Sequence, residues 1–533
     1  LHIFDTTTEE PSPVGVLHAP YEFNGAAVLD GRVFVAAGDS GLWSYSVPGI
    51  SEPKAGQSIL EFDNFPLSEA LLLYLDEGGD LILENVDTSA VAQLTNSGNV
   101  TGYSLSPTHR NILFTDMLER SYLLSLEFRS DERLRVARVA QSLSILGNNF
   151  QWSPDGTKLT YKDRDSQPWL FSIDGEPIPL LVNVQKFNGW SYDSQWFSYC
   201  TAEGTIEIRR LEGEPTIVDR KIDCNLIMGG PIPAWSPTAL HIVYARSQDA
   251  GLSTDGLQPV VYDVMAGEYF ELPIDNGVID WSPDGRYLAL GRGFVGNRAF
   301  TYDSVTIVNV RGDKTLPIHG VDSGTLGEIG WLDTGSDELI FNNLLVANDL
   351  SMAEPVADAV LSVSPDGTRW VTGRFEDGSL EIFCGTPDNP YEFSLLTTTK
   401  TVYPDDDMAG AESGVMRPGV SSALSPTGNF ITLLSYQQDN DWLAYLMSCN
   451  PEQPVPIPGQ AVWDQYASAN FSINENWLIL RTANSEGDGH VITLHDARGG
   501  EGDSRLLEVG FGLYTWLITP DAAPPITQIN TIA

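Results

Sequence analysis

Carboxylates crowd one segment of this chain, "YPDDDMAGAESG" at 403–414. Clustered carboxylate oxygens are the ligands that calcium prefers, and four stand close together here: Asp405, Asp406, Asp407 and Glu412. A complete EF-hand loop would need a further oxygen ligand where Ala409 stands. Two interpretations therefore stay open: calcium bound in this segment, or an acidic surface loop with no cofactor at all.

Hydrolase chemistry leaves no linear signature. The chain has no G-x-S-x-G nucleophile elbow, and "GDSGL" at 38–42 is interpreted as a turn between strands. The seven histidines lack the H-E-x-x-H spacing of zinc hydrolases. "SPDGTRW" at 364–370 approaches the Asp box of sialidases, but its glycine falls one place early. We therefore predict a protein without catalytic residues.

The four cysteines are Cys200, Cys224, Cys384 and Cys449. They are spaced too widely for C-x-x-C metal or redox motifs, but their even number permits two disulfides. Sequence order favours Cys200 with Cys224 and Cys384 with Cys449. Such bonds indicate an oxidising compartment, and four free buried thiols are the alternative.

The overall charge excludes some partners. The 533 residues include 72 acidic and 29 basic side chains, a formal net charge of −43, which repels phosphate backbones and anionic lipids, so we predict no nucleic acid. No run approaches the roughly 18 to 20 apolar residues that cross a bilayer, so we predict no membrane span. Because the chain starts at Leu1 without a signal-peptide pattern, we expect a mature protein whose leader has been removed.

An apolar or aromatic residue followed by a polar turn recurs about every 45 residues, the repeat length of four-stranded propeller blades. The clearest copies are "QWSPDGTKLTY" at 151–161, "DWSPDGRYLAL" at 280–290 and "SVSPDGTRWVT" at 362–372. Two weaker copies start at residues 26 and 65. The residues that align before the turn are Leu105, Trp152, Trp190, Trp235, Trp281, Trp331, Val363, Leu424 and Phe471.

Each copy has the pattern of a strand, a tight turn and further strands. Pro presets φ, Gly tolerates positive φ, and a period-two strand such as "KLTYKD" follows. The outermost strand is short and Pro-flanked, as in "EPIPLLV". Because Ser, Pro, Asp and Gly recur in many copies, whereas a catalytic group is needed once, we interpret the motif as turn scaffolding. About eleven four-stranded repeats predict an all-β protein of the β-propeller class.

These repeats carry a family resemblance. "WSPDGTKLTYKDRDSQPWLFSIDGEPIPLL" from residue 152 resembles the repeat of TolB-type, WD40-like propellers. The resemblance runs from residue 26 to about 520 and implies the fold rather than the function. Because the repeats begin almost at the N-terminus, we expect no counterpart of the α/β domain that precedes the propeller in TolB, so a TolB role in envelope maintenance is not implied.

A single ring of about eleven blades would be unusual, so we predict two packed propellers, with residues 1–275 in the first and 276–533 in the second. The second carries a Pro-rich tail, "TPDAAPPITQINTIA" at 519–533. The tail is a candidate strand for the sheet edge of another subunit. The alternative for the termini is that a strand such as "LHIFD" at 1–5 closes a ring by pairing with the last blade.

We expect a secreted, non-catalytic protein that acts by multivalent contact as a structural or assembly subunit of an extracellular or cell-surface structure. Its partner is then a further copy of itself, in a homo-oligomer or polymer, or another envelope or extracellular protein. Its location is extracellular, at the cell surface or periplasmic. One alternative is a TolB-like propeller that binds a protein or glycan on one ring face. The second is a propeller hydrolase or lyase without a linear motif.

Overall fold

The computed structural model consists of strands and turns, with no helix among the residues that it describes. Within that part of the chain, accordingly, no helix is long and apolar enough to cross a membrane. The described residues are 2–5, 12–16, 25–29, 32–36, 42–46, 65–95, 98, 100–117, 121–129, 133–143, 150–163, 165–175, 177–180, 182–220, 234–247, 257–273, 277–295, 300–318, 331–332, 339–364, 367–376, 379–399, 420–436, 442–449, 455–456, 468–483, 490–497, 504–507 and 509–518.

The first five strands form two small sheets of their own. β1 (His2–Asp5) pairs with β2 (Ser12–Val16), and β3 (Gly25–Leu29), β4 (Arg32–Ala36) and β5 (Leu42–Ser46) form a three-stranded sheet. The alternative in which "LHIFD" closes a ring is therefore wrong, because β1 pairs with β2 and not with a last blade.

Ten larger sheets follow in the described part of the chain, nine with four strands and one with five, all of them antiparallel. Sheet 1 contains β7 (Leu71–Asp76), β8 (Leu81–Asn85) and β9 (Ala90–Gln93). Sheet 2 contains β10 (Val100–Leu105), β11 (Asn111–Asp116), β12 (Ser121–Arg129) and β13 (Arg133–Leu143), with β6 (Phe65–Pro66) as its fifth strand. Sheet 3 contains β14 (Phe150–Trp152), β15 (Lys158–Lys162), β16 (Pro168–Ser172) and β17 (Ile178–Pro179). The strands of sheets 4 to 6 are β18 (Val184–Trp190), β19 (Trp196–Thr201), β20 (Thr205–Arg210) and β21 (Thr216–Arg220), then β22 (Ala234–Trp235), β23 (His241–Ser247), β24 (Leu257–Asp263) and β25 (Glu268–Glu271), then β26 (Gly277–Trp281), β27 (Tyr287–Val295), β28 (Phe300–Asn309) and β29 (Thr315–Ile318).

The strands of sheets 7 and 8 are β30 (Trp331–Leu332), β31 (Leu339–Phe341), β32 (Leu344–Val346) and β33 (Ala353–Pro355), then β34 (Ala359–Val363), β35 (Trp370–Glu376), β36 (Ser379–Thr386) and β37 (Asn389–Thr399). The strands of sheets 9 and 10 are β38 (Val420–Leu424), β39 (Phe430–Tyr436), β40 (Trp442–Ser448) and β41 (Val455–Pro456), then β42 (Ser468–Phe471), β43 (Trp477–Ala483), β44 (His490–Asp496) and β45 (Ser504–Leu507). The last strand, β46 (Val509–Leu517), pairs with β7 and completes sheet 1.

The sheets stand around an axis with their first strands innermost, because first strands of neighbouring sheets contact one another, as β14 does β18 and β38 does β42. All nine residues that the sequence aligns before a turn lie on such first strands, from Leu105 on β10 to Phe471 on β42. The repeat alignment is therefore correct at these nine positions. The two earlier copies differ: the copy from residue 26 has three strands, and the copy from residue 65 borrows its fourth strand, β46.

Apolar side chains fill the spaces between successive sheets. Leu73 of sheet 1 packs with Ile112 of sheet 2, for example, and similar buried clusters join each neighbouring pair from sheet 1 to sheet 7 and from sheet 8 to sheet 10. The series returns to its start, since Ile479 of sheet 10 packs with Leu72 of sheet 1. The fold is a β-propeller. Neither eleven four-stranded repeats nor two propellers are confirmed, and the boundary near residue 275 stays a prediction.

Candidate functional site

In sheets 2 to 6 and 8 to 10, the turn after the first strand, here called the anchor turn, is built on a buried serine. In sheet 3, Ser153 Oγ donates to Asp155 Oδ1 at 2.6 Å and accepts from the Lys158 N–H at 2.9 Å. Burial alone would raise the pKa of Asp155, but hydrogen bonds from Ser153 and Thr157 outweigh it and lower that pKa. The equivalent serines are at most 1% exposed: Ser106, Ser153, Ser191, Ser236, Ser282, Ser364, Ser425 and Ser472. A buried hydroxyl bonded in this way holds the turn, which agrees with the interpretation of the motif as turn scaffolding.

Every anchor turn but that of sheet 5 has one residue in the left-handed conformation, and this position lies against the preceding sheet at Gly156, Gly285 and Gly428. Glycine fills it in four turns, at φ of 65° for Gly156 and 69° for Gly285. In the other turns this residue has a side chain, which accepts a hydrogen bond from a backbone N–H of the preceding sheet. Ser194 Oγ accepts from the Asp155 N–H at 2.9 Å, and His109 Nδ1 accepts from the Ile518 N–H at 3.0 Å. Glu475 likewise accepts from Thr427. The anchor turns therefore join neighbouring sheets around one end of the ring.

Tryptophans tie the inner strands together. The indole N–H of Trp190 donates to the carbonyl of Gln151 at 3.2 Å, that of Trp235 to Gly189 at 3.1 Å, and that of Trp281 to Ala234 at 3.3 Å; in each case the acceptor lies on the preceding sheet. These tryptophans lie between neighbouring sheets, as predicted. Their burial is less uniform than predicted, because Trp190 and Trp281 are buried whereas Trp152, Trp235 and Trp331 are half-buried. The indole N–H groups of Trp152 and Trp331 have no hydrogen-bond partner among the described residues.

Trp516 on β46 is a further member of this series that the repeat alignment does not include, and its indole N–H donates to the carbonyl of Asn470 at 3.2 Å. The stretch "TWLITPD" at 515–521 contains a Trp followed by a Pro-Asp pair, although the Pro comes four residues after the Trp and only two after it in the clear repeats. This copy is hard to recognise from the sequence because β46 lies far along the chain from β7, β8 and β9, the other three strands of its sheet.

One cluster of charged and phenolic groups lies between sheets 4 and 5. Asp219 accepts from the Tyr244 hydroxyl at 2.8 Å and from Arg246 Nε at 2.6 Å, and Arg246 also pairs with Glu271 at 2.5 Å. Burial, together with the hydrogen bond to Asp219, raises the pKa of Tyr244. Each group in this cluster is paired with another, so the cluster joins the two sheets and does not present a free acid or base.

A second paired cluster lies where sheet 10 meets sheet 1. Arg505 pairs with the buried Glu84, and Glu84 accepts from the Tyr74 hydroxyl at 3.4 Å. Burial and the Glu84 carboxylate raise the pKa of Tyr74 to about 12. Asp87 accepts from the Trp477 indole at 2.8 Å. Polar contacts therefore reinforce the interface at which the ring closes.

The outer strands present a different kind of surface. Val91 on β9 is 58% exposed, Leu506 on β45 is 59% exposed, and Ile178, Ile217 and Tyr269 on other outer strands are also exposed. One outer edge is already occupied, since β6 pairs with the outer strand β13 of sheet 2 through Phe65↔Leu134 and Pro66↔Arg133. We take the outer edges of the sheets, here called the rim, as the candidate functional site.

The structure tests some of the residues singled out from the sequence. Cys384 and Cys449 form a disulfide with a Cα–Cα distance of 5.5 Å, between sheets 8 and 9, as predicted. Cys200 is disulfide-bonded, and Cys224, its predicted partner, lies outside the described residues. The four carboxylates of the predicted calcium site also lie outside them: Asp405, Asp406, Asp407 and Glu412. Among the residues that are described, no group of three or more His, Cys, Asp or Glu is placed to hold a metal ion.

Comparisons with known proteins return likenesses of fold. No protein-family model matches the chain, and no curated protein matches it. Among solved structures, a eukaryotic initiation factor matches at 10% identity and a TM-score of 0.48, covering 84% of this chain and 98% of its own. A TolB protein from Agrobacterium tumefaciens matches at 16% identity and 0.26, covering 45% and 87%. The dihydro-haem d1 dehydrogenase NirN matches at 12% identity and 0.34, covering 85% and 77%. At these values none of the likenesses bears on function.

Proposed function

We propose that this chain is a secreted, non-catalytic β-propeller that serves as a structural or assembly subunit of an extracellular or cell-surface structure, and that it binds further copies of itself through the rim. The observation that carries the proposal is the pairing of β6 with β13. It supports the idea that an outer edge of this propeller accepts an added strand through main-chain hydrogen bonds, a mode of binding that requires no pocket.

Three further features support this proposal. Several outer strands carry exposed apolar side chains, as at Val91 and Leu506, which an added strand would cover. The Cys384–Cys449 disulfide favours an oxidising compartment outside the cytosol. The polar clusters between sheets are internally paired, which favours a rigid block over a catalytic centre. Calcium at Asp405 and its neighbours stays a prediction.

The test is the molar mass of the purified protein, measured by light scattering, together with electron microscopy for regular assemblies. Because subunits of net charge −43 repel one another, we expect association to strengthen as salt rises from about 20 to 200 mM. We expect Val91→Lys with Leu506→Lys to reduce association, since charges on outer strands oppose strand addition. Met117→Lys is the matched control, because Met117 is 69% exposed but follows β11, an inner strand of its sheet.

Removing the tail at 519–533 tests which segment is added to the rim. We expect a folded monomer that no longer assembles, because the ring-closing strand β46 ends at Leu517 and is left intact. A wild-type protein that stays monomeric at every salt concentration would overturn the proposal. Turnover of a glycan by that monomer would favour the hydrolase alternative.

Binding on a ring face is the second candidate. Tyr192 in the anchor turn of sheet 4 and Met265 in the turn between β24 and β25 are both exposed, and these turns lie at the same end of their sheets. Exposed aromatic and Met side chains on one face favour a protein or glycan ligand. A monomer whose binding of such a ligand is lost in Tyr192→Ser with Met265→Ser, but not in Met117→Ser, would support this function over assembly.

A further inference from the structure

His109 occupies a backbone position that favours glycine. Its φ is +54°, in the anchor turn of sheet 2, where Gly156 and Gly285 stand in the turns of sheets 3 and 6. A side chain in this conformation costs of order 1 kcal/mol relative to glycine, so a compensating contact is expected. The imidazole is 9% exposed, and its Nδ1 accepts the backbone N–H of Ile518 at 3.0 Å.

That contact fixes the end of the strand that closes the ring. Ile518 directly follows β46, which comes from the far end of the chain and supplies the first strand of sheet 1. The same stretch is held toward sheet 2 by a hydrogen bond of 3.3 Å between the hydroxyls of Tyr103 and Thr515. Of the residues in the left-handed position of the described anchor turns, His109 is the one that contacts β46 or the residue after it.

Protonation of His109 would remove this contact. In a neutral imidazole, Nδ1 accepts the hydrogen bond from the Ile518 N–H. An imidazolium carries a proton on both nitrogens, so its Nδ1–H and the Ile518 N–H would face each other as two donors without an acceptor. Burial lowers the pKa of His109 to about 4, and a hydrogen bond with the Trp516 backbone opposes this shift. The groups of sheet 1 that face the imidazole ring of His109 are the backbones of Trp516 and Ile518. The charged neighbour on its own turn is Arg110, which is exposed, and no described charged group contributes to the shift.

We propose that His109 is an acid-sensitive latch: in neutral solution it holds the end of β46 against sheet 2, and in acidic solution its protonation releases that strand. The latch is independent of the proposed assembly, because it concerns closure within one molecule. It gives the propeller a defined place at which the ring opens first when the protein enters an acidic environment.

The direction of the pH dependence follows from the direction in which the pKa of His109 is shifted. Because the pKa of the closed state lies below the ordinary value of about 6.5, the stabilisation is complete above pH 6.5 and is lost as the pH falls toward about 4. With these two values, the equilibrium for opening the strand rises about 30-fold between pH 7.5 and pH 5.

The test is hydrogen exchange of the full chain, followed by mass spectrometry of peptides that cover 509–518 and corrected for the pH dependence of chemical exchange. We expect faster exchange of this segment at pH 5 than at pH 7.5 in the wild type. His109→Asn should abolish the acceleration, because Asn tolerates positive φ and its oxygen accepts the same N–H without titrating. Equal exchange at both pH values in the wild type would overturn the proposal, and so would an unchanged acceleration in His109→Asn.

His495→Asn is the matched control. His495 is another partly buried imidazole whose pKa burial lowers. It lies on β44 of sheet 10, on the face opposite to Leu494, which packs against sheet 1. This variant should keep the acid acceleration at 509–518. If it abolished that acceleration as His109→Asn does, the effect would belong to general acid destabilisation and the latch would be refuted.

Discussion

A glycine in an anchor turn is required by the neighbouring sheet as much as by its own φ. A Cβ on Gly156 would lie 2.6 Å from Thr108 Oγ1 of sheet 2, in a backbone with φ of +65°. Gly175, in another turn of sheet 3, has its nearest atom at 3.7 Å and no positive φ. The turn motif could be predicted from Pro and Gly alone, but the pairing of each left-handed residue with the preceding sheet could not, because it joins residues about 45 positions apart.

We therefore predict that Gly156→Ala lowers the free energy of unfolding by about 1 to 3 kcal/mol, through left-handed strain and the contact with Thr108. Gly175→Ala is the control and should change stability by less than about 0.5 kcal/mol. Urea unfolding measures both. Equal effects of the two substitutions would contradict the role given to the anchor turn.

Tryptophan at the end of a first strand contributes both apolar area and a hydrogen bond to the previous sheet. Trp281 donates to the carbonyl of Ala234, whereas the indole N–H of Trp331 has no partner among the described residues. The sequence alignment predicted the packing, because bulk and position recur. It could not predict which indoles donate, since that depends on the exact separation of two inner strands.

We predict that Trp281→Ala costs about 3 to 5 kcal/mol. Trp281→Phe keeps much of the packing but leaves the Ala234 carbonyl without its donor, so it should cost about 1 kcal/mol more than Trp331→Phe. The comparison of the two Phe variants by thermal or urea unfolding isolates the hydrogen bond. A Trp331→Phe variant as destabilised as Trp281→Phe would refute this assignment.

At the scale of elements, the sequence was informative wherever strands pair with their neighbours in the chain. Sheets 3 to 10 follow the predicted order of four consecutive antiparallel strands, and the short Pro-containing outer strand was foreseen at β17. The exceptions are β6 and β46. Each pairs with a strand far away in sequence, and no local pattern of apolar residues specifies such a partner.

The Cys384–Cys449 disulfide connects two of these elements, since it joins sheets 8 and 9 across 65 residues. The bond restricts the unfolded chain, and for a loop of this length the chain-entropy relation gives about 4 kcal/mol. We predict that Cys384→Ala with Cys449→Ala lowers stability by up to this amount, measured by urea unfolding without reductant.

Reductant provides the internal check on that measurement. It should lower the unfolding midpoint of the wild type more than that of the double variant, because the bond of Cys200 is the one that remains for reduction in the variant. Equal responses of the two proteins to reductant would contradict a stabilising role for the Cys384–Cys449 bond.

At the scale of the whole molecule, the closing of sheet 1 by β46 makes the two ends of the described fold depend on each other. Residues before 275 supply β7, β8 and β9 of this sheet, and residues after 276 supply β46. Across the same point, Val243 and Val261 of sheet 5 pack in one buried cluster with Trp281 of sheet 6. Two propellers were predicted from the number of repeats, because about eleven blades would be unusual for a single ring. The number of repeats does not indicate which two sheets meet where the ring closes.

Cutting the chain at this point tests the predicted boundary. Two propellers would make fragments 1–275 and 276–533 fold separately. The packing leads us to expect the opposite, because the first fragment would leave the apolar face of sheet 5 bare and sheet 1 without its inner strand, and the second would expose Leu288 and Leu290 of sheet 6. We therefore predict that neither fragment alone shows a cooperative thermal transition, and that co-expression restores one. Two independently folded fragments, each with its own transition, would establish the two-propeller arrangement instead.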